Sequence, residues 1–300
     1  MKAQRIVTLA VWCGLCLIQS VMADESAMAD SAEALGCVPN EEWPAFEVAV
    51  DFCTRQLSYG LVDNRDPIVT LEAAVGWRGF TFGSAMIYDT TEWGRQHGGY
   101  GNRKGRYQEL AFGPEYGQTF SSEDYSFLFT SVEGFVGYVY EYHPPVRKTR
   151  GERNPDTQFA HAGFAFPDLW LKPAVSAELD IDNEVGAIYL AAEGGHAFTL
   201  IGAAGGREVD FLSLFVCGGV GFGNAKRNRT DAGFEASAFK DVWLTLALDW
   251  HLTDHVCLSP YVAASEQLHR RLREAARTSY AGETHASTQL VGGLRLAASF

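Results

Sequence analysis

The stretch GGLRLAASF, residues 292–300, ends the sequence and alternates in side-chain character. A β-strand sends successive side chains to opposite faces, so the face that carries Leu294, Leu296 and Phe300 is apolar, whereas the face that carries Arg295 and Ser299 is mixed. Chain ends usually fray, which makes an aromatic at the last apolar position unusual for a water-soluble sheet. The pattern predicts a final strand, either of an ordinary sheet or of a membrane barrel.

The same alternation recurs along the chain and predicts an all-β protein of about twelve strands without helices. Most segments are ten or more residues long, which suits a strand that crosses a bilayer at a tilt. The predicted strands are 45–55, 67–77, 80–89, 107–117, 125–142, 157–167, 173–181, 184–200, 208–222, 241–252, 256–266 and 286–300.

The connections between these segments differ in length according to their order. Long polar connections follow most odd strands, as at 90–106 and 223–240, whereas connections after even strands are mostly short, as in RG at 78–79. Outer-membrane barrels combine an even number of strands with short periplasmic turns and longer extracellular loops. The chain is therefore expected to form a closed antiparallel transmembrane β-barrel with its N-terminus at the periplasmic side.

Closure of such a barrel requires the last strand to pair with the first, because a bilayer offers no water to unpaired backbone groups. Phe300 would then lie at the periplasmic membrane interface, and the final strand would present itself to the outer-membrane assembly machinery. Aromatic residues concentrate at membrane interfaces. The residues predicted to lie there are Trp77, Phe80, Trp250 and Phe300.

Residues 1–23 have the composition of a secretory signal peptide. Lys2 and Arg5 precede the apolar run IVTLAVWCGLCLI, and small residues flank a cleavage site after Ala23. We expect export to the outer membrane, a periplasmic lead-in over 24–44 and the barrel over 45–300. The lipid bilayer is the expected partner. With 24 basic and 37 acidic residues the net charge is −13, which argues against a nucleic-acid partner.

Three stretches resemble a known family. They are VAVDFCTRQLSYGLVDNRDPIVTLEAAVGWRGFTFG at 48–83, LKPAVSAELDIDNEVGAIYLAAEGGHAF at 171–198 and LTLALDWHLTDHVCLSPYVAASE at 244–266. Together they resemble the TorF-type porins of bacteria and, more distantly, the MipA-type barrels named for binding a murein hydrolase. The resemblance implies an outer-membrane barrel that acts as a channel, and it carries over no catalytic residue and no substrate.

The face opposite the apolar stripe is rich in carboxylates and predicts an acidic lumen. The residues expected to line this lumen are Asp51, Glu72, Glu109, Glu115, Glu133, Glu178, Asp180, Glu193, Asp249 and Arg295. An acidic passage concentrates cations and repels anions, which favours a channel for small solutes with a preference for cations. The sequence equally allows these acids to be paired with loop arginines, such as Arg147, Arg150 and Arg153, or to be partly protonated.

Two other function classes stay open at this stage. A lumen filled by Tyr125, Phe127, Phe129 and Tyr261 would make the barrel a non-conducting scaffold that binds a periplasmic cell-wall partner. An enzyme is not expected, because the nearest histidine–serine pair, His285 and Ser287, has no evident third member. No cofactor or metal is expected either, and the sequence does not indicate an oligomeric state.

Overall fold

The chain forms a closed antiparallel β-barrel of twelve strands in the computed structural model. The structure describes residues 44–58, 61–64, 67–90, 107–121, 131–143, 156–203, 209–278 and 288–300. Its strands are β1 Ala45–Cys53, β2 Gln56–Ser58, β3 Leu61–Asn64, β4 Ile68–Trp77, β5 Phe80–Asp89, β6 Tyr107–Ser121, β7 Ser131–Tyr142, β8 Thr157–Ala165, β9 Ala174–Asp180, β10 Ile188–Ile201, β11 Leu212–Gly223, β12 Ala238–Thr253, β13 Val256–Gln267 and β14 Thr288–Ser299.

All of these strands except β2 and β3 form the barrel, and each pairs with its neighbours in the chain. The predicted closure is confirmed, because β1 pairs with β14 on one side and with β4 on the other. Phe46 and Phe300 exchange two backbone hydrogen bonds, of 3.0 and 2.9 Å. Phe300 is thus held in the closure seam between β1 and β14.

The two ends of the barrel differ in their connections. At the end where β1 begins and β14 finishes, β4 and β5 are joined by Arg78 and Gly79, and β12 and β13 by two further residues; we call this the short-turn end. Arg78 and Gly79 both have positive φ, of 51° and 82°, as the tight turn of a two-residue hairpin requires. The opposite, long-loop end carries the β2–β3 hairpin and two helices.

The two helices are α1 Ala225–Ala232 and α2 Arg270–Thr278, so the expectation that no helix occurs is wrong. Asn224 caps α1 by accepting a hydrogen bond from the backbone of Arg227, and Gly233 ends the helix with φ of 63°. Asparagine before a segment and glycine after it are start and stop signals for a helix, which a search for alternation alone overlooks.

No helix among the described residues is long and apolar enough to cross a bilayer.

The predicted signal peptide and most of the predicted lead-in, residues 1–43, lie outside the described residues. The same holds for Tyr125, Phe127 and Phe129, for Arg147, Arg150 and Arg153, and for His285 and Ser287.

Candidate functional site

The outer surface of the barrel is apolar and exposed. Outward side chains along β1 are Phe46, Val48, Val50 and Phe52, each between 45% and 50% exposed, and the outward positions of β12 and β14 follow the same rule. An exposed apolar surface that surrounds a whole barrel far exceeds the patches found on water-soluble monomers. Such a surface suits contact with the hydrocarbon of a bilayer, where a sheet has to close on itself as this one does.

The four aromatic residues predicted for the membrane interface all point outward. Trp77 and Phe80 flank the turn between β4 and β5, Trp250 lies near the short-turn end of β12, and Phe300 is 72% exposed. The ring of Phe80 lies 4.7 Å from that of Tyr116, and the ring of Trp250 meets that of Phe211 edge to face. These aromatics therefore collect at one end of the barrel, as in an interfacial belt.

The ten charged residues predicted for the lumen all lie on the inner face. Eight are buried, and Glu72 and Glu193 are partly exposed. Their burial shows that most of these side chains pack against other inward groups instead of lining an open, water-filled passage. The inner face therefore has to be described through the contacts that its charged groups make.

One cluster, which we call the seam cluster, bridges the closure of the barrel. Arg295 on β14 places Nη1 2.8 Å from a carboxylate oxygen of Glu72 on β4, and Nη2 3.3 Å from one of Glu47 on β1. Asp51 lies directly opposite Arg295 in the strand register and accepts a hydrogen bond from the hydroxyl of Tyr261 at 3.1 Å. A single guanidinium thus joins the strands on both sides of the seam.

Two histidines supply further partners for the inward acids. Nε2 of His161 lies 2.8 Å from Oε2 of Glu115, and both side chains are almost fully buried. Nε2 of His143 lies 3.6 Å from Oε2 of Glu109. Neither pair was predicted from the sequence, because alternation gives the face on which a residue lies but not the partner that it meets.

A second cluster, the helix cluster, joins α1 to the inner face at the long-loop end. Arg227 of α1 donates to Glu178 on β9 at 3.1 Å and to Asp231 at 2.9 Å, and Asp231 also pairs with Lys240, which is fully buried on β12. Burial alone raises the pKa of Asp231, but the positive charges of Lys240 and Arg227 outweigh burial and hold this pKa below its ordinary value.

An apolar layer closes part of the interior. Its members are shielded from water, form one contiguous cluster and come from nine of the twelve barrel strands. Ile87, Val139 and Phe215 have no exposed surface at all. Large inward side chains without solvent contact indicate a packed interior at this level of the barrel, in place of a wide aqueous pore.

Inward glycines make room for this packing. A Cβ atom at any of these glycines would overlap a large side chain from a neighbouring strand or from α1. The pairs are Gly137 with His161, Gly163 with Phe135, Gly219 with Trp243, Gly221 with Tyr189, Gly223 with Asn228, and Gly293 with Tyr261. Glycine leaves room at each of these positions for the side chain beside it.

Gly293→Ala is expected to destabilise the barrel by about 1–3 kcal/mol, the usual cost of overpacking, because the new methyl group displaces the Tyr261 ring from Asp51. Urea unfolding of the refolded protein in detergent micelles, followed by tryptophan fluorescence, measures the change. Gly292→Ala is the matched control, since a Cβ atom there meets only one atom, at 3.8 Å. Equal stability of the two variants would contradict the packing described here.

The described residues contain no group of three or more histidine, cysteine, aspartate or glutamate side chains arranged to hold a metal ion. Of the cysteines in these segments, Cys53, Cys217 and Cys257 are free thiols. His251 lies inward and buried on β12, whereas His255 lies in the turn that follows. The two histidines that flank this turn therefore differ in their surroundings.

Comparison with solved structures finds outer-membrane barrels, all at low identity. The KdgM porin is 8% identical with a TM-score of 0.40, over 85% of this chain and 99% of that chain. Omp33 of Acinetobacter baumannii is 11% identical with a TM-score of 0.36, over 85% and 97%. The CymD monoaromatic hydrocarbon channel is 10% identical with a TM-score of 0.38, over 91% and 93%.

No protein-family model matches the chain, and no curated protein matches it. The class of the protein therefore follows from its own strand pairing: it is a closed twelve-stranded antiparallel β-barrel with an apolar exterior and a charged, largely packed interior.

Proposed function

We propose that this protein is an outer-membrane channel of narrow bore that admits small solutes and prefers cations. The observation that carries the proposal is the distribution of charge: the exterior is apolar, and nine carboxylates predicted for the lumen lie on the inner face. An acidic interior attracts cations and raises their local concentration. Export by residues 1–23 and assembly through the final strand belong to the same proposal, as does membership of the TorF-type family.

Planar-bilayer recording under a salt gradient tests this function. The purified, refolded protein is expected to conduct in small steps. The sign of its reversal potential should indicate a preference for cations, because the inner carboxylates repel anions. Heat-modifiable mobility on a gel provides the control for folding. Reversal on the anion side would contradict the proposal, even if the barrel conducts.

The apolar layer favours a second candidate, a non-conducting barrel that acts as a scaffold. Nine strands contribute to that layer, and Ile87, Val139 and Phe215 within it have no exposed surface. Absence of conductance in a preparation that is folded by gel mobility would support this candidate over the channel. Deletion of 24–44, followed by capture of cell-wall enzymes on the immobilised barrel, then tests the predicted periplasmic partner.

A further inference from the structure

The helix α1 lies in the connection between β11 and β12 and turns back over the inner face at the long-loop end. Two of its side chains, Arg227 and Asn228, are 5% and 0% exposed. The guanidinium of Arg227 lies 5.8 Å from the ring centre of Phe159 on β8, and Asn228 lies against Gly223 on β11. A connection between two neighbouring strands has no need to reach β8, so α1 is a loop helix packed against the barrel interior.

Two sets of contacts hold α1 in this position. The first is the helix cluster, whose ion pairs tie α1 to β9 and β12. The second is uncharged and centres on Asn228, whose side-chain amide donates to the backbone oxygens of Gly223, at 2.9 Å, and Ala236, at 2.8 Å. Because the two sets differ in chemistry, a substitution can remove one of them and leave the other intact.

The size of α1 is large relative to the opening of the barrel. Twelve strands, spaced about 4.8 Å apart and tilted by about 40°, form a ring about 24 Å across between backbones. A helix with its side chains is about 10 Å wide, and the eight residues of α1 extend over about 12 Å. Against one side of the wall, α1 therefore takes up close to half of the width at the long-loop end.

The charge of α1 is opposite to that of the interior. Its sequence, AKRNRTDA, carries three basic residues and one acid, whereas nine of the predicted lumen residues on the inner face are carboxylates. Arg227 brings a positive charge to Glu178, which is 2% exposed, and so neutralises one of these carboxylates. Movement of α1 away from the wall would both widen the opening and restore an acid to the inner face.

We propose that α1 is a gate at the long-loop end of the barrel. In the position described here α1 narrows the opening and neutralises Glu178, and its release widens the passage and strengthens the preference for cations. The helix cluster and the hydrogen bonds of Asn228 hold the gate closed. This inference rests on the proposed channel function, because the gate regulates that same passage.

Asn228→Ala tests the gate without a change of charge. Loss of the two amide hydrogen bonds should release α1, which hydrogen exchange of residues 225–232 measures on the refolded full chain. Planar-bilayer recording under a salt gradient should give a conductance about threefold or more above that of the wild-type protein, because the open cross-section grows with the square of the width. The reversal potential should shift toward stronger cation preference.

Arg229→Gln is the matched control on the same helix. Arg229 is 48% exposed and pairs with Glu184 and Glu235, so its replacement should leave both the exchange of α1 and the conductance close to those of the wild-type protein. Asp231→Asn is a second release variant, which acts through the helix cluster and should raise the conductance as Asn228→Ala does. Heat-modifiable gel mobility shows which variants are folded.

The possible results distinguish the gate from the channel. Conductance in the released variants but not in the wild-type protein would support the gate. Equal conductance in all variants, although hydrogen exchange shows that α1 is released, would overturn the gate and leave the channel standing. Absence of conductance after release of α1 would also overturn the gate, because the passage is then closed elsewhere. Protection of α1 that is unchanged in both release variants would show that these contacts do not hold the helix and would refute the proposal.

Discussion

Arg295→Met is expected to lower the free energy of unfolding by about 3–5 kcal/mol at neutral pH. The substitution leaves Glu47, Glu72 and Asp51 close together on the inner face without the guanidinium that lies among them. Removal of one partner from a buried ion pair costs more than the pair itself contributes, because the remaining charges stay desolvated. Urea unfolding in detergent micelles measures the loss.

The loss of stability should also be greatest at the closure seam. Because Arg295 joins β14 to β1 and β4, backbone amides at the closure seam should exchange with solvent faster than those of β10 and β11. Glu72→Gln in the Arg295→Met background should restore about 1 kcal/mol or more, since it removes one of the unpaired charges. Arg270→Met is the control. Arg270 forms an ion pair on α2 and is 84% exposed, so its replacement should change the free energy of unfolding by less than about 1 kcal/mol. If Arg295→Met lowers the free energy of unfolding as little as Arg270→Met does, the role of the seam cluster is contradicted.

Asp231→Asn should release α1 from the barrel. Asp231 is the common partner of Arg227 and Lys240, and the variant leaves two buried positive charges without it. The expected cost is about 3–5 kcal/mol, which corresponds to a loss of protection of a hundredfold or more if α1 opens locally. Hydrogen exchange of residues 225–232, read by mass spectrometry, measures it.

Acidification should have the same effect on the wild-type protein. The pKa of Asp231 lies below its ordinary value of 3.8 in the folded state, so its stabilising contribution is complete at neutral pH. This contribution is lost as the pH falls below 3.8 and through the folded-state pKa. The acid-dependent part of α1 opening should be smaller in Asp231→Asn, because Glu178 is then the remaining carboxylate of the helix cluster. Arg229→Gln is the control, because Arg229 is 48% exposed and pairs with two exposed acids, Glu184 and Glu235. Equal opening in both variants would contradict the helix cluster.

The alternation of side chains and the unequal lengths of the connections together predicted the barrel, and alternation alone predicted the faces on which the acids and the interface aromatics lie. Glu115 and Glu178 could be placed inward and Trp77 and Phe80 outward because a strand has a period of two, whatever its partners are. The closure of β14 on β1 followed from the physics of an apolar environment, in which an open sheet edge is not tolerated.

The partners of the inward acids could not be predicted in this way. Arg227 meets Glu178 only because α1 folds back over the inner face, and the helix signals at Asn224 and Gly233 were the available indication of that helix. Tyr261 reaches Asp51 across 210 positions in sequence, because β13 and β1 both flank β14 in the closed barrel.

The sequence by itself determined which side chains face lipid and which face inward, because this depends only on the local geometry of a strand. The tertiary structure alone decided which inward groups meet, since that depends on the register between strands and on barrel closure. Glu193, Trp243 and Ser265 are far apart in the chain and share no local motif. They form one row because three consecutive strand pairings align them. The sequence of each strand by itself does not show that alignment.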